Sequence, residues 1–256
     1  MNKIEIKILN PEAAAEAEKI MVCAARLTQR GHKIKNLNDF MDLYNQNYRP
    51  LTVLSMAKLP HPAIQKFGVI NAVVVGASRR FLAQITRHQN EVKFMSASLQ
   101  YSDYSDEADF TVPYQILADE QKKEIYLKAC KESMEQYKRL TKFGNCNNDS
   151  AGYAAPQGLR NVLIISATPY QWKHMIRQRV CRRNTHETRY VMLRIWEELF
   201  KLAPELFPAS GTGPFCMKNY GHDGCKEGKM TCGIPIFASM TPTEIINADF
   251  PLLAQI

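Results

Sequence analysis

Residues 69–88 read VINAVVVGASRRFLAQITRH, and this stretch predicts a buried strand followed directly by a helix. The β-branched run before Gly76 is typical of a strand covered on both faces, and the glycine is expected to end it. Ser78 stands where a helix N-cap is needed, ahead of apolar residues spaced for one helix face. The helix would then deliver Arg87 and His88 to its C-terminal end.

Similar signals recur on both sides of this unit. Residues 162–166 (VLIIS) predict a second buried strand, and Thr168-Pro169 then supplies a cap followed by proline at the first helical position. The alternating residues 2–9 predict a half-buried strand. Further helices are predicted from Asn10-Pro11 to about Leu27 and for residues 37–45, 118–140 and 187–202. In the helix of residues 118–140, the inner face is predicted to carry Ile125, Ala129 and Met134.

These elements predict an α+β fold in a single domain that covers residues 1–256. A central, mostly antiparallel sheet would be flanked by helices, and a loop-rich C-terminal tail would begin at about residue 208. With 256 residues, of which 45% are hydrophobic, the chain is long enough for one substantial core.

Composition narrows the class of protein. No apolar run approaches the ~20 residues required to span a bilayer, and the N-terminus lacks the pattern of a secretory signal, so a cytoplasmic protein without a membrane partner is expected. Seven cysteines, an odd number, are interpreted as free thiols in a reducing compartment. A net charge of +8 favours an anionic partner without identifying it.

Two segments concentrate side chains that suit anions. Residues 84–104 (QITRHQNEVKFMSASLQYSDY) place Arg87 next to His88, and an arginine fork can donate to a phosphate in pairs. Residues 177–190 (RQRVCRRNTHETRY) contain five arginines, whose mutual repulsion an anionic ligand would relieve. Each segment also has an ordinary interpretation: the first as an exposed helix end, the second as a surface patch neutralised by nearby glutamates.

The two segments resemble the characteristic stretches of the flavin-dependent thymidylate synthase family. In the family signature, Arg-His-Arg is followed by a spaced Ser and then Arg-Tyr; here residues 87–89 read Arg-His-Gln and residues 98–101 read Ser-Leu-Gln-Tyr. In the second stretch, Arg179 and Glu187 keep the family's Arg-to-Glu spacing. Residues 227–233 (EGKMTCG) resemble a tail found in one branch of the family.

The resemblance implies a FAD-dependent enzyme that converts dUMP to dTMP by reductive methylation. Methylenetetrahydrofolate would supply the carbon and NADPH the electrons, while FAD would carry hydride between them. It also implies a homotetramer whose sites form between subunits and take dUMP or a related pyrimidine nucleotide. Nucleic acid is an unlikely partner, because the chain has no recognisable nucleic-acid-binding module.

The resemblance also implies roles for single residues. Arg179 would be the catalytic residue, facing the pyrimidine and stabilising negative charge that develops on a carbonyl oxygen. The cofactor-binding residues would be Asn71, Arg87, His88, Gln89 and His174, and the substrate-binding residues would be Gln84, Ser98, Gln100, Arg179 and Arg182.

The chain departs from the family pattern at three positions where an arginine is expected: Gln89, Gln100 and Gly152. Losing these arginines would cost phosphate affinity, since each charge-assisted bond is worth roughly 1.5–3 kcal/mol. Compensation by Arg160, Arg182 or Arg183 is expected, because the cluster of residues 177–189 is more basic than the fold alone requires. Two alternatives stay open. One is a re-purposed or non-catalytic paralogue that binds flavin or another pyrimidine nucleotide. The other is a nucleic-acid-binding protein that uses the arginines of residues 177–194 on backbone phosphates.

No metal ligand is assigned. Cys216, His222, Cys225 and Cys232 are residue types that suit zinc, but they lack the close Cys-x-x-Cys pairs of a strong site. A set of buried thiols in a loop-rich cap is the alternative interpretation of the tail.

Overall fold

A four-stranded antiparallel sheet forms the centre of the fold. The computed structural model describes residues 4–59, 61–143, 145–217, 225, 227–234, 236 and 239–254. The sheet order is β1-β2-β4-β3, and every neighbouring pair is antiparallel. The strands are β1 (Glu5–Ile8), β2 (Ile70–Ser78), β3 (Val92–Ser96) and β4 (Arg160–Ala167).

Helices surround this sheet, as the α+β prediction requires. They are α1 (Glu12–Arg30), α2 (Leu37–Asn45), α3 (Pro50–Ala57), α4 (Arg79–Ile85), α5 (Tyr114–Leu117), α6 (Glu120–Phe143), α7 (Asn148–Ala151), α8 (Pro169–Arg179), α9 (His186–Leu202), α10 (Ala209–Thr212), α11 (Pro242–Asp249) and α12 (Pro251–Ala254). In the part of the chain that the structure describes, none of these helices is long and apolar enough to cross a membrane.

The main core lies between one face of the sheet and helices α1, α8 and α9. Trp172 and Trp196 are fully buried there, and each indole N–H donates to a backbone carbonyl, of Ile70 at 3.0 Å and of Phe207 at 3.2 Å. Burying an indole without such a partner would be costly. A smaller cluster around Tyr137 packs α6 against the segment that leads into β4.

The strand-to-helix units form largely as the sequence predicts. Ser78 and Thr168 cap α4 and α8, accepting from the backbone N–H of Phe81 at 3.2 Å and of Gln171 at 3.3 Å. Because β2 and β4 are neighbours in the sheet, the helices that follow them start at opposite ends of an antiparallel pair. Both helices pack against α9, and their C-terminal ends converge.

The prediction that Gly76 ends the strand is wrong. β2 continues to Ser78 through a bulge between Val75 and Ala77, and Gly76 adopts a φ of 89° within it. A Cβ at this position would lie 2.0 Å from Nη2 of Arg160. Glycine is therefore required here by the bulge, and it does not mark the end of the strand.

Two predictions about helices also need correction. Asn10 does not cap α1, because its side chain bonds the N–H of Asn71 and the carbonyl of Val69, and the helix begins at Glu12. On α6, Ile125 and Ala129 are exposed, and the buried face is formed by Cys130, Met134 and Tyr137. The tail from residue 208 contains the short helices α10, α11 and α12 in addition to loops.

Glu18 on α1 provides a test of this packing. Burial, and then repulsion from Glu205, raises its pKa from 4.5 to about 7. The folded chain therefore holds the proton more tightly than the unfolded chain, and stability is lost as the pH rises from 4.5 to 7. Glu18→Gln should be more stable than the unsubstituted protein at pH 8 by about 1–2 kcal/mol, a value reduced by the partial exposure of the side chain. Chemical denaturation at pH 8 and pH 4 checks this; an equal gain at both values would contradict it.

Candidate active site

The C-terminal ends of α4 and α8 meet at a hydrogen-bonded pair, His88 and Arg179. Nε of Arg179 donates to Nε2 of His88 at 2.9 Å, and Nη2 donates to the backbone carbonyl of Gln84 at 2.9 Å. His88 lies in the turn after α4, which ends at Ile85 and not at His88. Three residues that the sequence assigned to the site are therefore in direct contact.

His88 is held in its neutral form. Burial, followed by the charges of Arg179 and His174, lowers its pKa to about 4. At neutral pH its Nε2 accepts from Arg179, which leaves the proton on Nδ1. The His174 ring stands edge-on to it at 5.9 Å, and burial and Arg177 lower the pKa of His174 as well.

Arg179 carries a charge that no carboxylate balances within the residues that the structure describes. It is half-buried, and burial, followed by the nearby charge of Arg87, lowers its pKa. Neither arginine forms an ion pair with a described residue, and Nη1 of Arg179 forms no hydrogen bond with one. Two neighbouring cations without a counter-charge make this place favourable for an anion.

A polar clamp fixes α4 against the start of α9. Both carboxylate oxygens of Glu187 are used by Ser78, accepting from its backbone N–H at 2.6 Å and from its hydroxyl at 2.5 Å. Oε1 of Gln84 accepts from the hydroxyls of Thr185, at 3.0 Å, and of Thr188. The sequence identified Glu187 only by its spacing from Arg179 and missed its partner, because Ser78 is 109 residues away.

A groove of about 500 Å³ opens beside His88. Its lining residues are Lys66, Gln89, Asn90, Glu91, Tyr170, Gln171 and His174. Lys66 and Glu91 form an ion pair across it at 2.5 Å. Gln89 and His174, both assigned to the cofactor, thus share one groove. Asn71 does not line it; this residue sits in β2 opposite Ser166, and its backbone N–H bonds the side chain of Asn10.

The remaining predicted substrate residues lie elsewhere in the chain. Ser98 and Gln100 follow the C-terminal end of β3, whereas His88 and Gln89 precede its N-terminal end, so the length of the strand lies between the two groups in the chain. Oγ of Ser98 accepts from the backbone N–H of Gln100 at 3.1 Å. Gly152 faces Leu99, the residue before Gln100. Gly152 and Gln100, two of the three positions that lack the expected arginine, therefore lie in one region.

The three arginines expected to compensate already have carboxylate partners. Arg160 pairs with Asp109 at 3.1 Å and Arg183 with Glu227 at 2.8 Å. Arg182 forms a bidentate ion pair with Asp249, in which Nη2 lies 2.8 Å from Oδ1 and Nε lies 3.1 Å from Oδ2. Its Nη1 donates to the backbone carbonyl of Ile234. A nucleotide phosphate would therefore have to compete with a carboxylate for Arg182, and the expected compensation is not visible in the structure.

Comparison with known proteins identifies the family. A family model described as "Thymidylate synthase complementing protein" matches residues 12–205, which is most of the chain. This chain belongs to the flavin-dependent thymidylate synthase family. Its Arg179–His88 pair, Glu187 clamp and groove all involve elements within the matched range.

Individual relatives in the family are distant. A flavin-dependent thymidylate synthase of Clostridium tetani is 24% identical over 247 residues, covering 90% of this chain and 93% of the relative. One of Pyrococcus abyssi is 27% identical over 164 residues, covering 62% of this chain and 66% of the relative. The fold resembles that of the UMP/dUMP methylase PolB from Streptomyces cacaoi bound with 5-Br dUMP, with a TM-score of 0.63 and 15% identity, covering 80% of this chain and 93% of that one.

A second solved structure is a flavin-dependent thymidylate synthase from Helicobacter pylori, which holds FAD and dUMP. It matches with a TM-score of 0.57 and 16% identity, covering 80% of this chain and 98% of the other. At such identities the two solved structures support the α+β fold of the family and not the identity of any ligand.

Proposed function

We propose that the chain catalyses the FAD-dependent reductive methylation of dUMP to dTMP, with methylenetetrahydrofolate as carbon donor and NADPH as electron donor. The observation that carries this proposal is the unbalanced pair of cations, Arg87 and Arg179, next to a neutral histidine. Membership of the family supports the reaction type and FAD as the cofactor.

The residues around the groove fit a flavin nucleotide in their chemistry. Arg87 and the amides of Gln89 and Asn90 can donate to a pyrophosphate, and Tyr170 presents a ring on which an aromatic base can stack. Glu91 can accept from ribose hydroxyls. FAD, when bound, supplies the transfer of hydride.

Arg179 is the residue that we assign to the pyrimidine. Its contacts with His88 and Gln84 fix the guanidinium plane and leave Nη1 as the donor for a carbonyl oxygen of the ring. In a half-buried position the charge of the guanidinium stabilises negative charge on that oxygen more strongly than it would in water. Neutral His88 orients the arginine without adding a competing positive charge.

The alternative function is that of a paralogue that binds flavin or another pyrimidine nucleotide without making dTMP. Gln89, Gln100 and Gly152 favour it, because each removes a positive charge from a family position. Tritium release from 5-labelled dUMP, supplied with methylenetetrahydrofolate, NADPH and FAD, separates the two functions. Flavin binding without tritium release would favour the paralogue.

The protein is expected to purify as a yellow homotetramer. One face of the sheet is apolar and exposed in the single chain: Met95 is 72% exposed and stands opposite Ile164, which is 41% exposed. Exposed apolar faces of this kind mark interaction surfaces. In a tetramer, the Ser98 and Gln100 region of one copy would complete the site around His88 of another.

Native mass measurement and the absorbance spectrum test this expectation. Ile164→Glu should produce smaller species with less bound flavin, whereas Lys128→Glu, an exposed change on α6, should leave both unchanged. A colourless monomer that does not take up added FAD would rule out the flavin-binding proposal.

Gln100→Arg is expected to tighten the binding of dUMP roughly tenfold or more, because it adds a charge-assisted bond near the phosphate. The chain as it stands should bind dUMP weakly and with little dependence on ionic strength. Calorimetric titration with dUMP, dCMP and the unphosphorylated nucleoside measures this. Gln121→Arg, an exposed change on α6, is the charge-matched control. Strong binding by the original chain, together with damage from Arg160→Ala, Arg182→Ala or Arg183→Ala, would mean that one of these arginines already holds the phosphate.

A further inference from the structure

A second cavity, of about 460 Å³, lies between the turn that joins α8 to α9 and the C-terminal tail. Four of the seven cysteines line it: Cys181 from the turn, and Cys216, Cys225 and Cys232 from the tail. All four are free thiols. No part of the proposed methylation reaction uses them.

The four thiols are neighbours in space. Cys216 lies near Cys181, Cys225 and Cys232, and the backbone N–H of Ile236 donates to its sulfur. The thiol of Cys232 donates to the backbone carbonyl of Ile234 at 3.5 Å. Hydrogen bonds to the sulfurs are also a feature of thiolate-bound metal centres.

Charged side chains of both signs line the same cavity. Arg177, Arg182, Arg183 and Glu227 all line it, and Arg182 lies near Cys216 and Cys232. Arg182 is paired with Asp249 and Arg183 with Glu227, so the thiols are the groups of the cavity that a metal would use. Thiolates select zinc and iron–sulfur centres over hard cations.

We propose that Cys181, Cys216, Cys225 and Cys232 bind a soft metal centre, either zinc or an iron–sulfur cluster, which fastens the tail to the α8–α9 turn. The fourth ligand is then Cys181 and not His222, which lies outside the described residues. Cys181 was missed in the sequence because 35 residues separate it from Cys216, whereas the tertiary structure brings it into the same cavity.

The four sulfurs are more widely spaced than the ligands of a bound ion. Among the residues that the structure describes, no three His, Cys, Asp or Glu side chains are grouped tightly enough to hold a metal ion. Zinc, with Zn–S bonds of about 2.3 Å, requires the four sulfurs to draw inward. An iron–sulfur cluster is larger than a single ion, and a cavity of about 460 Å³ has room for it.

Metal analysis of the full-length protein tests the proposal. The protein is produced in cells supplied with both zinc and iron, purified without oxygen, and measured for zinc, iron and acid-labile sulfide. We expect either about one zinc ion, or about four iron and four sulfide, per chain. Iron with sulfide identifies the cluster, and zinc without sulfide identifies the single ion. A chain that holds only trace metal, and takes up neither on reconstitution under reducing conditions, overturns the proposal.

Matched cysteine variants locate the ligands. Cys181→Ser and Cys232→Ser should each lose most of the bound metal, while Cys146→Ser, a partly buried thiol in the other cluster, should keep it. Retention of a full complement of metal by Cys181→Ser and Cys232→Ser would overturn the assignment. Should either variant fail to fold, the sulfur K-edge or iron spectrum of the unsubstituted protein reports the number of metal–thiolate bonds directly, and fewer than three would contradict the site.

Discussion

Arg179→Ala is expected to lower tritium release from 5-labelled dUMP by on the order of a hundred- to a thousand-fold, as the loss of one preorganised charged donor does in other enzymes. The flavin spectrum should change little, because the groove that we assign to the cofactor is lined by other residues. The effect should fall mainly on kcat, since the guanidinium stabilises charge that develops during the reaction.

Two further variants make this result specific. Arg179→Lys keeps the charge but loses the paired contacts with His88 and Gln84, so it should recover only a small part of the activity. Arg30→Ala, an exposed arginine at the end of α1, should behave like the unsubstituted protein. Activity close to normal in Arg179→Ala would mean that the end of α8 does not face the pyrimidine. Loss of flavin in parallel with activity would instead place Arg179 at the cofactor.

Asp249→Ala is expected to destabilise the fold by about 3–5 kcal/mol, the cost of leaving a buried charge without its partner. Asp249 ends α11 and accepts from both Arg182 and Arg189. Arg189 is only 4% exposed, so it cannot recover the lost interaction from water. Chemical denaturation measures the change, and Asp106→Ala, which removes exposed contacts with Lys138 and Lys142, should have little effect.

The pH dependence of this difference has a definite direction. Burial alone would raise the pKa of Asp249, but the hydrogen bonds and charges of Arg182 and Arg189 outweigh it, and the pKa is lowered. The carboxylate therefore contributes stability above the ordinary pKa of an aspartate, and this contribution is lost as the pH falls through the lowered value. The stabilities of the variant and the unsubstituted protein should converge in acid. A difference that stays constant down to that range would show that lost packing, and not charge, causes the destabilisation.

Local signals in the sequence determined the strand-to-helix units and the family. The β-branched run in β2, the Ser78 cap and the Thr168-Pro169 start depend on residues close together in the chain, so their structures could be predicted without tertiary information. The signature residues Arg87 and His88 were likewise identified from a short segment.

Interactions between distant segments were decided only by the tertiary structure. Gly76 was predicted to end the strand, but it lies in a bulge of β2 where the side chain of Arg160 from the neighbouring strand leaves no room for a Cβ. The inner face of α6 could not be assigned from periodicity, because its exposed face also carries apolar residues such as Ile125.

The same physical reason applies to the charges. By residue type alone, the arginines of residues 177–190 were equivalent candidates for an anion, and only the family resemblance distinguished Arg179 and Arg182. In the folded chain, Arg182 and Arg189 pair with Asp249, and Arg183 pairs with Glu227. Arg179 contacts a neutral histidine and pairs with no carboxylate among the described residues. The charge of a side chain follows from its residue type, but the partner that balances it depends on which segments the fold brings within a few ångströms.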